Sequence, residues 1–401
     1  MKRPTITDIA RRAGVTKAAV SFALNGQPGV SAATRERILA IAAEIGFQPN
    51  SAARALTAGR AGAFGLVIQR PAGTAALSIE PFLIQLISGI QADLAAHQVS
   101  LQFTITADAA AEIELYRQWR AQGRVDGVFL VDLLVDDDRI AAIEQLRMPA
   151  VVLGAAQGAG TLPAISSDSR AAADAVVGYL AARGHRRVAR VGGPAWYWHS
   201  RLRRDAFEAS AAAAGLAAYF VEAGSVEAGP AGAGTGRAGT DSPGAGLSCA
   251  GLSCAGLTGA DLTGAGLTGA GAYGPPAAIT QPTAALLGAA EPPTAIVYDT
   301  DVLAAAGLGV AQRMGVDVPG AVSLISWDDS ALCELVHPAL TALHRDIAGV
   351  GSTAARMLRE LAAGGHPESV LEPAPALMPR ASSGLAAGTG TQAPPRSRRS
   401  A

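Results

Sequence analysis

The sequence predicts a small all-α head carrying a helix-turn-helix, followed by an α/β body of two lobes, each built on a doubly wound parallel sheet. Three observations lead there. Residues 5–60 carry helix caps and helical periodicity without a strand pattern; from residue 63 short apolar runs alternate with helical stretches; and charge is divided between the two regions. The first sixty residues hold nine Lys and Arg against three Asp and Glu, and the rest holds 23 against 30, so a net charge of −1 conceals a basic end. A basic end supplies salt-dependent attraction to phosphates.

Thr5 is placed to cap a first helix, Ile6 to Ala13, with Asp8 three residues on as its capping-box partner. Gly14 suits the left-handed position after it, and Thr16 caps the next helix. Ile9, Ala10, Val15, Val20 and Leu24 fall on the facing sides of this pair, while Ala10 and Ala13 are small enough for close approach at the turn. Thr16, Lys17, Ala18, Ser21, Phe22 and Asn25 remain for the outer face. In such motifs the start of the second helix enters the DNA major groove, which makes Lys17 a candidate base or phosphate contact. Ser31 caps a third helix, whose Ile38, Leu39, Ile41, Ala42 and Ile45 can close a three-helix core. Asn50 can cap the next segment, but 51–58 carries a single large apolar residue, Leu56, among alanines. Alone it is a marginal helix, expected to fold only against a partner or DNA.

At 401 residues, 49% hydrophobic and 16% charged, the chain is long enough for a head and a two-lobed body. FGLVIQ, VSLQFTI, VDGVFLV and PAVVL read as strands, separated by helices over 82–96, 109–122 and 136–146; AISS, RVARVGG, AAYFV, TAIVY and VSLISW form a second series. Alternation of this kind makes parallel sheets, and the facing strand ends of two such lobes form a cleft for a ligand. No apolar run spans a bilayer and no leader precedes the head, so the expectation is a cytoplasmic protein without a membrane partner. Cys249, Cys254 and Cys333 form no disulfide framework. No Ser-His-Asp spacing, phosphate loop or metal cluster is present, so neither enzyme activity nor a cofactor or metal is expected.

Aromatic residues make up only 4% of the chain, yet Trp196, Tyr197 and Trp198 are consecutive, followed by His199 on a loop expected at the cleft. With Trp327 and Phe82 they can stack on the apolar face of a sugar ring or, alternatively, plug the lobe cores. His199 has no second His or Cys at ligand spacing and reads as a polar pocket residue. Residues 224–276 interrupt the second lobe with a period-five repeat, AGLSC AGLSC AGLTG ADLTG AGLTG. Stacked pentapeptide coils and a low-complexity expansion compete for it; five imperfect, Gly-rich copies favour the expansion.

The motif TDIARRAGV, the ALNG and VS that follow, and PNSAARAL at the hinge resemble the lactose-repressor/galactose-repressor (LacI/GalR) family of bacterial transcription regulators. The resemblance extends through DSRAAADAVVGYLAARGHRRVARVGG, SRLRRDAFEASAAAAGL and TAIVYDTDVLAAAGLGVAQRMGVDVPGAVSLISWDD, covering about residues 5–380 apart from the insert. It implies a periplasmic-binding-protein-like body, double-stranded operator DNA and a small-molecule effector, expected to be a carbohydrate, as partners, and a homodimer, since the tail carries no leucine heptad. Positions implied at DNA are Thr5, Thr16, Lys17, Ala18, Ser21, Phe22, Asn25 and Thr34 in the head and Asn50, Ala53 and Leu56 in the hinge, with Leu56 as an apolar wedge in the minor groove. Many members carry Arg where this chain has Phe22, so operator preference does not transfer. Implied effector contacts are Asp168, Arg203 and Asp328, with Phe82, Trp196, Trp198, His199, Thr300 and Trp327 around them. Carboxylates accept from hydroxyls and a guanidinium donates to oxygens, though each charged residue also fits a helix cap or an interlobe ion pair. The implied organisation is a head over 1–48, a hinge over 49–60, a body over 61–380 (first lobe about 61–162 and 343–366, second about 163–342 and 367–380) and a disordered tail over 381–401. A purine-responsive regulator is the alternative within the family. A sugar receptor for transport is the alternative outside it, disfavoured by the head.

Overall fold

The structure, a computed structural model, describes residues 4–24, 26–47, 60–70, 81–154, 156–223 and 276–387. The chain divides into two compact units, Met1–Gly62 and Ala63–Ala401.

The first unit holds α1 (Ile6–Ala13), α2 (Lys17–Leu24) and α3 (Ala32–Glu44). Asp8 accepts the Thr5 N–H at 3.0 Å and the Thr5 hydroxyl at 2.7 Å; Gly14 turns the chain at φ 63°; Thr16 and Ser31 accept from the first turns of α2 and α3. Ile9, Ala10, Ala13, Val20, Ala23, Ile38 and Ala42 form the core, with Val15, Leu24, Ile41 and Ile45 half-buried around it. Leu39, expected inside, is 45% exposed: Ile38 and Ala42 define the inward stripe of α3, and Leu39 lies one step of about 100° around from Ile38.

The second unit consists of two lobes. The first is a six-stranded parallel sheet in the order β11-β5-β4-β3-β1-β2, comprising β1 (Ala63–Gln69), β2 (Ser100–Thr106), β3 (Val128–Leu130), β4 (Ala150–Gly154), β5 (Ala164–Ser166) and β11 (Val370–Leu371). The second has the order β12-β10-β9-β8-β6-β7, from β6 (Arg187–Gly192), β7 (Ala217–Glu222), β8 (Ala295–Tyr298), β9 (Ser323–Ser326), β10 (Thr341–His344) and the antiparallel β12 (Ala376–Met378). Apolar clusters cover both faces of each sheet, as buried parallel strands require.

The helices of the first lobe are α4 (Pro81–Ala96), α5 (Ala109–Gln122), α6 (Asp138–Leu146) and α12 (Ile347–Ala362); those of the second are α7 (Ser169–Ala182), α8 (Trp198–Ala213), α9 (Pro276–Leu287), α10 (Asp301–Arg313) and α11 (Ala331–Leu335). α4 and α12 cross at Gly89 and Gly351, where a Cβ would overlap the Ala348 and Leu86 carbonyls.

Two boundaries differ from expectation. The AISS strand, expected to open the second lobe, is hydrogen-bonded to β4 in the first sheet, and β11, expected in the second lobe, pairs with that strand. The lobes therefore exchange chain after Ser166, after His344 and between Leu371 and Ala376. The start of the expected disordered tail is ordered. The buried Ser382 hydroxyl donates to the Leu324 carbonyl at 2.6 Å and accepts the Thr341 N–H at 2.9 Å, and the Ala386 N–H donates to Arg183. Ser382 here satisfies backbone groups at the starts of β9 and β10, next to the positions where the two strands pair, a role composition alone does not reveal. The 224–275 repeat and residues 388–401 lie outside the described residues.

Candidate functional site

On the head, α2 presents Thr16, Lys17 and Ala18 exposed, Ser21 half-buried and Phe22 38% exposed. Positions 17, 18, 21 and 22 share one helical face, opposite Val20 and Ala23 in the core. Phe22 leans over Gly29, whose φ of 118° requires glycine. Thr5 is exposed at the start of α1, and Thr34 is half-buried, accepting from the Ser31 hydroxyl at 2.9 Å. Asn25, Asn50, Ala53 and Leu56 lie outside the described residues.

In the body, each sheet reverses its direction of winding once, between β1 and β3 in the first lobe and between β6 and β8 in the second. The carboxyl ends of those strands form a crevice where doubly wound folds place ligands. In the second lobe Asp299, just after β8, organises the crevice. One carboxylate oxygen accepts from Arg190 at 2.5 Å and from the Gly193 N–H at 2.9 Å, and its carbonyl accepts from Arg203 at 2.8 Å. Arg203 also lies 3.6 Å from the Asp328 carboxylate and 5.7 Å from the Trp327 ring. Thr300 caps α10 through a hydrogen bond from Leu303, and the Ser330 hydroxyl donates to Asp301.

Residues 196–198, the end of the loop and the first residue of α8, are bound to the first lobe by main-chain hydrogen bonds. The Val135 N–H donates to Trp196 at 2.8 Å, the Trp198 N–H donates to Leu133 at 2.9 Å, and Leu134 and Tyr197 form an antiparallel bridge. His199 stacks on Tyr197 at 5.3 Å. Burial, then the cations of Arg203, Arg190 and Arg345, lower the His199 pKa to about 3, so its imidazole is neutral at physiological pH. Near Tyr197 is Asp132, two residues after the end of β3, at φ 50°, a left-handed backbone that few non-glycine residues adopt. Asp132 is exposed in the crevice, yet desolvation by the surrounding protein raises its carboxyl above the ordinary range, with Arg70 and Arg139 opposing, and the Tyr197 phenol is pushed up to about 12 by burial and by Asp132. Where the chain recrosses between lobes, Arg345 pairs with Glu372 at 3.2 Å and lies 5.8 Å from the Phe82 ring.

Of the sequence-predicted residues, Arg203, Asp328, Trp327, Thr300 and His199 converge on the second lobe's strand ends, and Phe82 shares a crevice with Asp328 and Arg345. Trp327 is 2% exposed and belongs to the lobe core, meeting the site only beneath Arg203. Trp196 is 42% exposed. Trp198 packs into the first lobe's core against Gly158, as an anchor between lobes. Asp168 caps α7, accepting the Ala171 N–H at 2.8 Å. Asp299, Arg190, Asp132 and Arg345 are additions. Their sequence signal was a charged residue inside or directly after an apolar run, as in VARVGG, VFLVD and IVYD.

The neutral His199 carries a pH consequence. Its pKa is about 3 when folded and near 6.5 when unfolded, so between these values only the unfolded chain binds the proton. Its stabilising contribution is complete above about pH 6.5 and falls as pH drops toward 3. Urea midpoints measured from pH 4 to 7 should therefore fall less steeply on acidification in His199→Gln than in the wild type; parallel slopes would contradict the assignment.

Taken together, a helix-turn-helix head and a two-lobed ligand-binding body define an effector-binding transcriptional regulator. Residues 5–50 match the model of bacterial regulatory proteins of the lacI family, residues 74–228 that of periplasmic binding proteins and sugar binding domain of the LacI family, and residues 177–383 a periplasmic binding protein-like domain. A LacI family regulator from Bifidobacterium animalis subsp. lactis is 30% identical with a TM-score of 0.64, over 82% of this chain and 100% of that one. The regulator MalR of Streptomyces coelicolor is 27% identical over 96% of this chain and 97% of its own. The lac repressor dimer bound to operator shares the fold, with a TM-score of 0.71 at 20% identity over 96% of this chain and 100% of that one. The chain belongs to the LacI family of bacterial regulators.

Proposed function

We propose that this regulator is a cytoplasmic repressor that binds a roughly palindromic operator as a homodimer and responds to a neutral sugar between its lobes. The face of α2 carrying Lys17, Ser21 and Phe22 reads the major groove; Asn25, Thr5 and Thr34 support it, and Asn50, Ala53 and Leu56 act at the minor groove. The effector contacts are Arg203, Asp328 and His199, joined by Asp132, with Phe82 and Trp196 offering apolar surface. Trp327, Thr300, Asp168 and Trp198 support the site from the core, helix caps and lobe junction.

One observation carries the ligand class: Arg203 lies 3.6 Å from the Asp328 carboxylate, Asp301 stands near Asp328, and the neutral imidazole of His199 lies near Arg203. Such a mixture satisfies hydroxyls, which both donate and accept, whereas the carboxylates repel a phosphate. Ligand occupancy changes the lobe arrangement and hence the fraction of molecules competent for DNA. A thermal-shift screen of the full chain against neutral sugars, sugar phosphates and purines tests this reading. A neutral sugar should raise the melting temperature; a response to purines alone would replace the sugar.

The hinge has its own test. Leu56→Ala should weaken operator binding by about tenfold and reduce DNA bending, with effector binding intact. Unchanged bending would remove Leu56 from the role of wedge.

A further inference from the structure

A second polar cavity lies behind the start of α8, away from Asp328 and Phe82. Its volume is about 440 Å³, within the range of ligand sites and far above the roughly 30 Å³ share of a single water. Arg190 and Ser200 line its buried wall, 3% and 2% exposed. Arg190 spends one terminal nitrogen on Asp299 and on the Ser200 carbonyl, yet its Nε–H and the Ser200 hydroxyl have no hydrogen-bond partner among the described residues. Buried donors of this kind are costly unless something accepts from them.

The outer wall comes from one stripe of α8, positions 201, 204, 205 and 208, and from the end of β7. It mixes signs: Arg204 lies 3.7 Å from Glu222, and the exposed carboxylates of Asp205 and Glu208 share that stripe. A cation would meet Arg190 at the floor, and an anion would meet three carboxylates at the rim. A neutral polyol suits both, because each hydroxyl accepts from a guanidinium and donates to a carboxylate. The cavity also connects to the proposed effector site. Asp299 holds Arg190 through its side chain and Arg203 through its carbonyl, so a ligand fixing Arg190 bears on the group that fixes Arg203.

We infer that this cavity is a second carbohydrate-binding site, coupled through Asp299 to the site between the lobes. It accepts either the far unit of an oligosaccharide effector or a separate sugar. This inference rests on the sugar reading of the effector site.

The test is calorimetric titration of the full chain, and of its Arg204→Ala and Glu208→Ala variants, with glucose, maltotriose, cellotriose and inorganic phosphate. Both replaced side chains are exposed, so folding should survive. If the far unit of an oligosaccharide occupies the cavity, a trisaccharide binds the wild type at least about tenfold more tightly than glucose, and both variants lose that advantage while keeping glucose affinity. If a separate sugar occupies it, the wild type binds two equivalents of glucose and the variants one. Variants that titrate like the wild type with every sugar overturn the inference and leave the effector reading standing. Phosphate binding that is lost in Arg204→Ala overturns the neutral class, and a wild type that binds none of these sugars overturns both readings.

Discussion

Arg203→Ala is expected to abolish the transcriptional response to effector while leaving operator affinity close to that of the wild type. Arg203 is 8% exposed, donates to the Asp299 carbonyl at 2.8 Å and approaches the Asp328 carboxylate at 3.6 Å. It thus ties the Asp299 carbonyl and the Asp328 carboxylate together beside the cleft. Alanine removes the donor and leaves Asp328, whose side chain is 14% exposed, without that cation. Losing a charge-assisted hydrogen bond to a ligand costs about 1.5–3 kcal/mol, and loss of Asp328 orientation adds to it, so effector affinity should drop by about a hundredfold or more. The head is a separate compact unit, and its α2 face does not depend on Arg203. Operator gel shifts with increasing effector separate the two properties. Retention of the wild-type ligand midpoint would refute the role; loss of operator binding together with a collapsed melting temperature would show that Arg203 is structural.

The head was legible in the sequence because its signals are local: a cap, a glycine and an apolar stripe each act within about one helical turn. The strands were legible for a similar reason, since buried parallel strands are continuous apolar runs. Lobe membership was not local. The AISS strand looks the same whichever sheet it joins, and only its pairing with β4 assigns it. Arg203 and Asp328 were found through resemblance, but Asp299 was read only as part of a strand-helix unit, and its three partnerships come from residues at 190, 193 and 203. The aromatic run 196–198 shows the limit most clearly. Composition marked it as unusual without saying that Trp198 turns into one lobe's core while Trp196 stays exposed. That division follows from hydrogen bonds to Leu133 and Val135, more than sixty residues away in sequence.

Arg139→Ala is expected to destabilise the first lobe by about 3–5 kcal/mol, because it removes the cation from a buried ionic cluster and leaves the anions. Arg139 is 1% exposed and binds Asp137 through Nε and Nη2, Glu112 at 3.0 Å and the Asp132 carbonyl at 2.9 Å. Glu112 is wholly buried and also receives Gln69 at 2.7 Å and the Tyr116 hydroxyl. The cluster therefore fixes the start of α6 and the left-handed turn at Asp132, which faces the cleft. Without Arg139 the buried carboxylates keep their charge with no cation beside them. An uncompensated buried anion weakens folding most at neutral pH, and less in acid, where a proton can neutralise it. The deficit against the wild type in urea midpoint should accordingly be largest at pH 7 and narrow toward pH 5. Glu112→Gln added to Arg139→Met should recover part of the loss at pH 7, since no uncompensated Glu112 charge then stays buried. A deficit independent of pH and unrelieved in the double variant would mean that Arg139 acts by filling volume, and that the orientation of Asp132 at the cleft does not depend on this cluster's charge.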